Sequence, residues 1–141
     1  MTGMKQMPDR AFIDTNVIVY MSSNDNQAKK KLARSLINKY DCVISTQVIN
    51  ELSNVLIKKY SQSTSNVEAT IFNLEAVCTV ALLTLETTNK ALDIHDRYGY
   101  SFYDALILSA ALDNNCKYVF SEDLQDGQIL EGKLTIINPF S

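Results

Sequence analysis

Short apolar runs alternate with stretches of helical period along this chain, and that alternation narrows the fold more than any other feature. The segment "RAFIDTNVIVY" (10–20) opens with an apolar run that ends in Asp14, the pattern of a buried strand followed by a turn. Residues 26–40 place Ala28, Leu32, Leu36 and Tyr40 at helical spacing, with lysines on the other face. "DCVIST" (41–46) reads as a second strand, and Ser45 or Thr46 suits the cap of a helix over 47–60. A polar turn at 61–66 leads to a helix over roughly 66–77, then "CTVALLTL" (78–85) reads as a third strand. Thr87 or Thr88 opens a helix that runs to Tyr98 and closes at Gly99, and Ser101 opens another over 102–113. Strands over 116–123 and 134–140 complete the pattern, with a turn at 126–128 between them. Such alternation predicts an α/β fold, a parallel sheet covered on both faces, with the last strand free to join in either direction. Sheets of this kind carry their functional groups at the carboxyl ends of the strands.

The 141 residues suit a single domain, 1–141, long enough to bury a core without disulfides or a structural metal. No segment has the length and apolarity of a membrane span, and the polar start "MTGMKQMPDR" does not resemble a signal peptide, so a cytoplasmic location is the expectation. Cys42, Cys78 and Cys116 are odd in number and lack the close spacing of a zinc site. Each lies in or beside an apolar run, which predicts small buried hydrophobes. The lone His95 falls in a polar helical stretch and reads as a surface residue. Lys29, Lys30, Lys31, Arg34 and Lys39 cluster on one early helix, either a solvated face or a track for a polyanion.

The acids fall where a parallel sheet would gather them. Asp14 ends the first strand, Glu51 lies in the first turns after the second, Asp104 opens the apolar helix "YDALILSAAL", and Asp123 ends the fourth strand with Asp126 three residues on. Each has a purely structural alternative. Asp14 suits a side-chain turn, Asp104 stands three residues after Ser101 as in a capping arrangement, and Asp123 and Asp126 suit turns. Glu51 is harder to dismiss, because it lies on or beside the apolar stripe of Val48, Leu52, Val55 and Leu56.

Carboxylates crowded together repel, and a divalent cation relieves the conflict. Mg²⁺ prefers oxygen ligands and keeps several waters, Mn²⁺ accepts the same set, and no histidine or cysteine is placed to favour zinc. A cation held this way orients and activates water for phosphoryl chemistry. Setting aside Asp14, Glu51, Asp104 and Asp123 turns the net charge of −3 into +1, which suits a polyanionic substrate.

At these residues the sequence resembles the PIN-domain family, in particular the VapC-type toxins of toxin–antitoxin pairs. "FIDTNVIVY" matches the family's opening motif with Asp14 as its acid and Asn16 as its supporting amide. "STQVINEL" matches the second with Glu51, "YSFYDALILSAA" the third with Asp104, and "VFSEDLQDG" the closing motif with Ser121, Asp123 and the more variable Asp126. The resemblance implies a three-layer α/β/α domain with a mostly parallel sheet of about five strands. It implies an Mg²⁺- or Mn²⁺-dependent ribonuclease acting on single-stranded RNA, with Asp14, Glu51, Asp104 and Asp123 as metal-binding catalytic acids. Asn16, Ser121 and Asp126 would orient them. A homodimer and inhibition by a small antitoxin are implied as well. The competing readings are an aspartate-nucleophile phosphatase, which wants an acid where Asn16 stands, and a non-catalytic RNA- or protein-binding module of the same fold.

Overall fold

The computed structural model describes residues 7–141. The order is β1 (Arg10–Ile13), α1 (Thr15–Ser22), α2 (Gln27–Lys39), β2 (Asp41–Ser45), α3 (Thr46–Lys58), α4 (Thr64–Val77), β3 (Thr79–Ala81), α5 (Leu85–Tyr98), α6 (Phe102–Asp113), β4 (Tyr118–Phe120), β5 (Ile129–Leu130) and β6 (Leu134–Ile137). The strands form one sheet in the order β3-β2-β1-β4-β6-β5, parallel except for β5, which runs antiparallel to β6. This is the mostly parallel α/β architecture that the alternating pattern predicts, with β6 joining parallel to β4.

β1 sits at the centre because its apolar run is buried on both faces. Ala11, Phe12 and Ile13 are fully buried, and Phe12 stands in register with Val43 on one side and Val119 on the other. The chain steps outward from β1 to β2 to β3, then crosses back to β4 on the far side of β1. Right-handed crossovers in opposite directions put α1–α4 on one face and α5–α6 on the other. α1 accordingly packs on α2 and α3, and α5 packs on α6. The strand order reverses between β1 and β4, and the crevice at the carboxyl ends there is where open parallel sheets bind ligands.

Several local features differ from the sequence expectation. Residues 15–22 form a helix where a turn was expected; the β-branched run Val17-Ile18-Val19 hides it, but Asp14 caps it, its side chain accepting the Thr15 N–H. α2 buries Ala33 and Leu36 and leaves Ala28 exposed and Leu32 48% exposed, so its stripe is rotated from the one that spacing predicts. The sheet has six strands rather than about five, because a short hairpin turns at Glu131 and Gly132, both at positive φ, and adds β5. β3 and β4 are shorter than their apolar runs, so Ser121 and the residues after it leave the sheet as a loop.

The start of α5 also differs: Thr84, not Thr87 or Thr88, is its cap, and Thr87 instead closes the capping box from inside the first turn. The other boundaries follow their signals, with Ser45, Ser63 and Ser101 capping α3, α4 and α6, and Gly99 ending α5 in the left-handed region at φ 79°. α6 is buried from Ala105 through Ala111, wedged between α5 and the sheet. The three cysteines are free and buried, as their apolar setting predicts, and burial pushes the Cys116 thiol up to about 12.

Candidate active site

Asp14 is the pivot of the strand-end crevice. Its N–H donates to Phe120 O at 3.0 Å, which ties the end of β1 to the end of β4. Its carboxylate is 7% exposed and accepts three hydrogen bonds: Thr15 N–H at 2.7 Å, Ser121 Oγ–H at 2.7 Å and Asn16 Nδ2–H at 3.3 Å. Even so its pKa is raised to about 6. Burial is the main cause; the hydrogen bonds from Ser121 and Thr15 pull the other way, and the charges of Glu51 and Asp104 push it further up.

The other acids stand around this pivot on different elements. Asp123 lies in the loop after β4, where its Oδ2 accepts from Asn16 Nδ2 at 3.0 Å. Glu51, exposed in the second turn of α3, accepts from Thr15 Oγ1 at 2.9 Å. Asp104 is half-buried in the first turn of α6, its N–H donating to Ser101 Oγ at 3.3 Å. The capping geometry and the electrostatic bearing on Asp14 therefore coexist at Asp104. Asp126 stands apart: its Oδ1 accepts the Asn138 N–H at 2.8 Å and fastens the loop to the chain after β6.

Two polar residues hold the acids in register. Asn16 shares its Nδ2 hydrogens among Asp14, Asp123 and Ser121, while its Oδ1 accepts the Glu122 N–H at 3.1 Å. Ser121 is fully buried; its Oγ donates to Asp14 and accepts from the N–H groups of Asp123 and Leu124 at 3.2 and 3.3 Å. Beside them is a group that sequence reasoning missed. Glu122 pairs with Lys29 and accepts from Tyr20 Oη at 2.8 Å, and Lys29 Nζ lies 4.7 Å from the Tyr20 ring centroid and 5.1 Å from that of Phe140. The Lys29 charge holds the Glu122 carboxyl below the usual range. Lys29 and Glu122 are 93 residues apart, so no local pattern announces the pair. Thr15, adjacent to Asp14, was also missed as a contact of Glu51.

The donor set suits a hard divalent cation. All the converging groups are oxygen donors, and among the described residues no Lys or Arg forms an ion pair with Asp14, Glu51, Asp104 or Asp123. The raised pKa of Asp14 comes first from its burial, and the nearby Glu51 and Asp104 charges add to it. Among the described residues, no three His, Cys, Asp or Glu side chains are close enough to enclose a metal by themselves. An ion that keeps most of its waters, as Mg²⁺ does, does not require such a cage.

The fold is shared with solved toxin structures. VapC20 of Mycobacterium tuberculosis, described as a sarcin–ricin loop cleaving toxin, superposes with a TM-score of 0.66 at 19% identity, over 80% of this chain and 91% of that one. A toxin–antitoxin complex from Klebsiella pneumoniae gives 0.70 at 18% identity, over 92% and 97%. FitAcB from Neisseria gonorrhoeae gives 0.61 at 16% identity, over 92% and 98%. No curated protein sequence matches the chain. Residues 11–125 match the PIN domain family, a span that runs from β1 past Asp123 and takes in all four converging acids, so the chain belongs to the PIN domain family.

Proposed function

We propose that this protein is a metal-dependent endoribonuclease that hydrolyses phosphodiester bonds in single-stranded RNA, and that it is the toxin of a toxin–antitoxin pair. The observation that carries the reading is the buried Asp14 carboxylate, raised to about 6 and faced by Glu51 and Asp104, with no basic residue among the described residues paired to any of them. Asp14, Glu51, Asp104 and Asp123 would hold Mg²⁺ or Mn²⁺, directly or through water. A cation bound there supplies an activated water and stabilises negative charge on a phosphate.

The chain's own part is positioning. Ser121 and Thr15 aim the two Asp14 oxygens in fixed directions, and Asn16 holds Asp123 to the same centre. Thr15 restrains the exposed Glu51 side chain, and the head of α6 carries Asp104 on a buried helix that cannot shift without disturbing the core. The basic α2 helix, with Lys30, Lys31 and Lys39, offers a track for the RNA backbone or a surface for an acidic stretch of an antitoxin. The antitoxin proposal rests on the structural neighbours solved as toxin–antitoxin complexes.

The test is cleavage of a mixed set of labelled RNAs in Mg²⁺ or Mn²⁺, with EDTA and an identically purified Asp104→Asn variant as controls. Cutting that needs metal and vanishes in the variant supports the reading; cutting that persists in the variant overturns it. For the toxin role, induced expression should arrest growth with the parent chain and not with Asp104→Asn.

A further inference from the structure

Lys29 stands where its own helix disfavours it. It lies in the first turn of α2, its N–H donating to the capping Asn26 Oδ1 at 3.0 Å, and a cation there opposes the helix dipole. Its ammonium is nonetheless held in one place. It pairs with Glu122, donates to Tyr20 Oη at 3.2 Å, and lies against the rings of Tyr20 and Phe140, which meet edge to face at 5.1 Å. Tyr20 Oη in turn donates to the other Glu122 carboxylate oxygen at 2.8 Å. We propose that Lys29 and Glu122 are positioning residues, an ion pair that fixes the loop after β4 so that Asp123 stays with the cation-binding acids. The inference rests on the ribonuclease reading above.

Asp123 needs such support more than the other acids do. Asp14, Glu51 and Asp104 are fixed by the helices they cap or belong to, whereas Asp123 is exposed in a loop. Ser121 Oγ accepts its N–H and Asn16 Nδ2 donates to its carboxylate, and both of these residues also bond Asp14. Glu122 adds a tie to separate elements. Its N–H donates to Asn16 Oδ1 at 3.1 Å, and its carboxylate reaches α1 through Tyr20 and α2 through Lys29. The Lys29 and Glu122 side chains are 30% and 27% exposed, so the pair is screened less than one on the open surface, and the two rings restrict where the ammonium can go. A cation that must first order its ligand loses that entropy from its affinity, so a loop held in advance binds it more tightly. Charge alone makes a different prediction. Losing the Lys29 cation would favour a bound Mn²⁺, and losing the Glu122 anion would disfavour it. A positioning role requires both losses to weaken binding, and that difference in sign separates the two.

The experiment is isothermal titration calorimetry of Mn²⁺ into the full chain, first cleared with EDTA, with urea unfolding of each variant as the check on folding. Lys29→Met, which keeps a long stem against the rings, and Glu122→Gln should each weaken Mn²⁺ binding by about tenfold. In an Asp123→Asn background neither should weaken it by more than about twofold, because the ligand they position is gone. The exchanged pair, Lys29→Glu with Glu122→Lys, should return to within about threefold of the parent, since the Tyr20 hydroxyl both donates and accepts. Tighter Mn²⁺ binding by Lys29→Met, or unchanged affinity in both single variants, overturns the proposal and leaves the nuclease reading standing. So does a loss in the Asp123→Asn background as large as in the parent. If a single variant does not fold, the exchanged pair decides: folded and binding as the parent does, it supports the proposal, and folded but binding weakly, it overturns it. If the parent itself binds no Mn²⁺ and cuts no RNA, the ribonuclease reading fails and the role of the pair falls with it.

Discussion

Burial holds the Asp14 carboxyl at about 6, and that single value has a consequence for stability. In the unfolded chain the group has its ordinary value of 3.8, so between there and about 6 the folded protein retains a proton that the unfolded chain releases. The resulting stabilisation is fully present below the unfolded value and is lost as pH rises through the folded one, a loss on the order of 3 kcal/mol for a two-unit shift. In EDTA, Asp14→Asn should therefore be more stable than the parent at pH 7.5, by about 1–3 kcal/mol, with the difference vanishing below pH 4. Urea unfolding of both proteins across that range measures it, and a variant less stable than the parent at pH 7.5 would sink the idea. Asn16→Ala should act in the opposite direction. It strips the Asp123 and Glu122 hydrogen bonds, with a loss of about 1–3 kcal/mol, and cleavage should fall with it. At this scale the acids were legible because strand ends and helix heads are local patterns. The Lys29–Glu122–Tyr20 group was not, because its partners are joined only by the packing of α1 and α2 against the loop after β4.

Among the elements, α5 and α6 form the pair that carries Asp104, and their junction depends on threonines. Thr84 and Thr87 make a reciprocal capping box at the head of α5, and Thr87 Oγ1 also donates to Asp113 at 3.0 Å near the end of α6. Buried Ser109 of α6 donates to Thr87 O at 2.8 Å. Thr87→Val keeps the shape and removes the hydroxyl, so it should destabilise the protein by about 1–2 kcal/mol, read as a lower urea midpoint. Gly99→Ala should cost about 1 kcal/mol, because its φ of 79° strains any residue with a Cβ. An unchanged midpoint for Gly99→Ala would mean that the α5–α6 turn relaxes to a different conformation. Most helices were legible from caps and spacing, yet α1 and the stripe of α2 were not. The Val17-Ile18-Val19 run has strand propensity, and tertiary packing on α2 and α3 overrides it. In α2 several apolar positions compete, and the neighbouring α1 decides that Ala33 and Leu36 turn inward rather than Ala28 and Leu32.

For the molecule as a whole, the uncompensated acids make metal binding and folding stability the same question. A cation that binds the folded chain and not the unfolded one stabilises it by about 2.7 kcal/mol at a hundred times its dissociation constant. Mg²⁺ or Mn²⁺ should thus raise the melting temperature of the parent by several degrees, and of Asp104→Asn far less, by differential scanning fluorimetry in buffer first cleared with EDTA. Equal rises in both proteins would remove Asp104 from the site. The residues by themselves determined the α/β class, most of the caps and the candidate acids, because those depend on neighbours within a turn or two of chain. Only the tertiary structure decided the strand order, the added β5, the exposure of Glu51 and its tie to Thr15, the diversion of Asp126 to Asn138, and the bridge that Asn16 makes between Asp14 and Asp123. The physical reason is range: periodicity and capping are short-range, whereas these contacts join segments up to 107 residues apart and exist only once the sheet has brought β1 and β4 side by side.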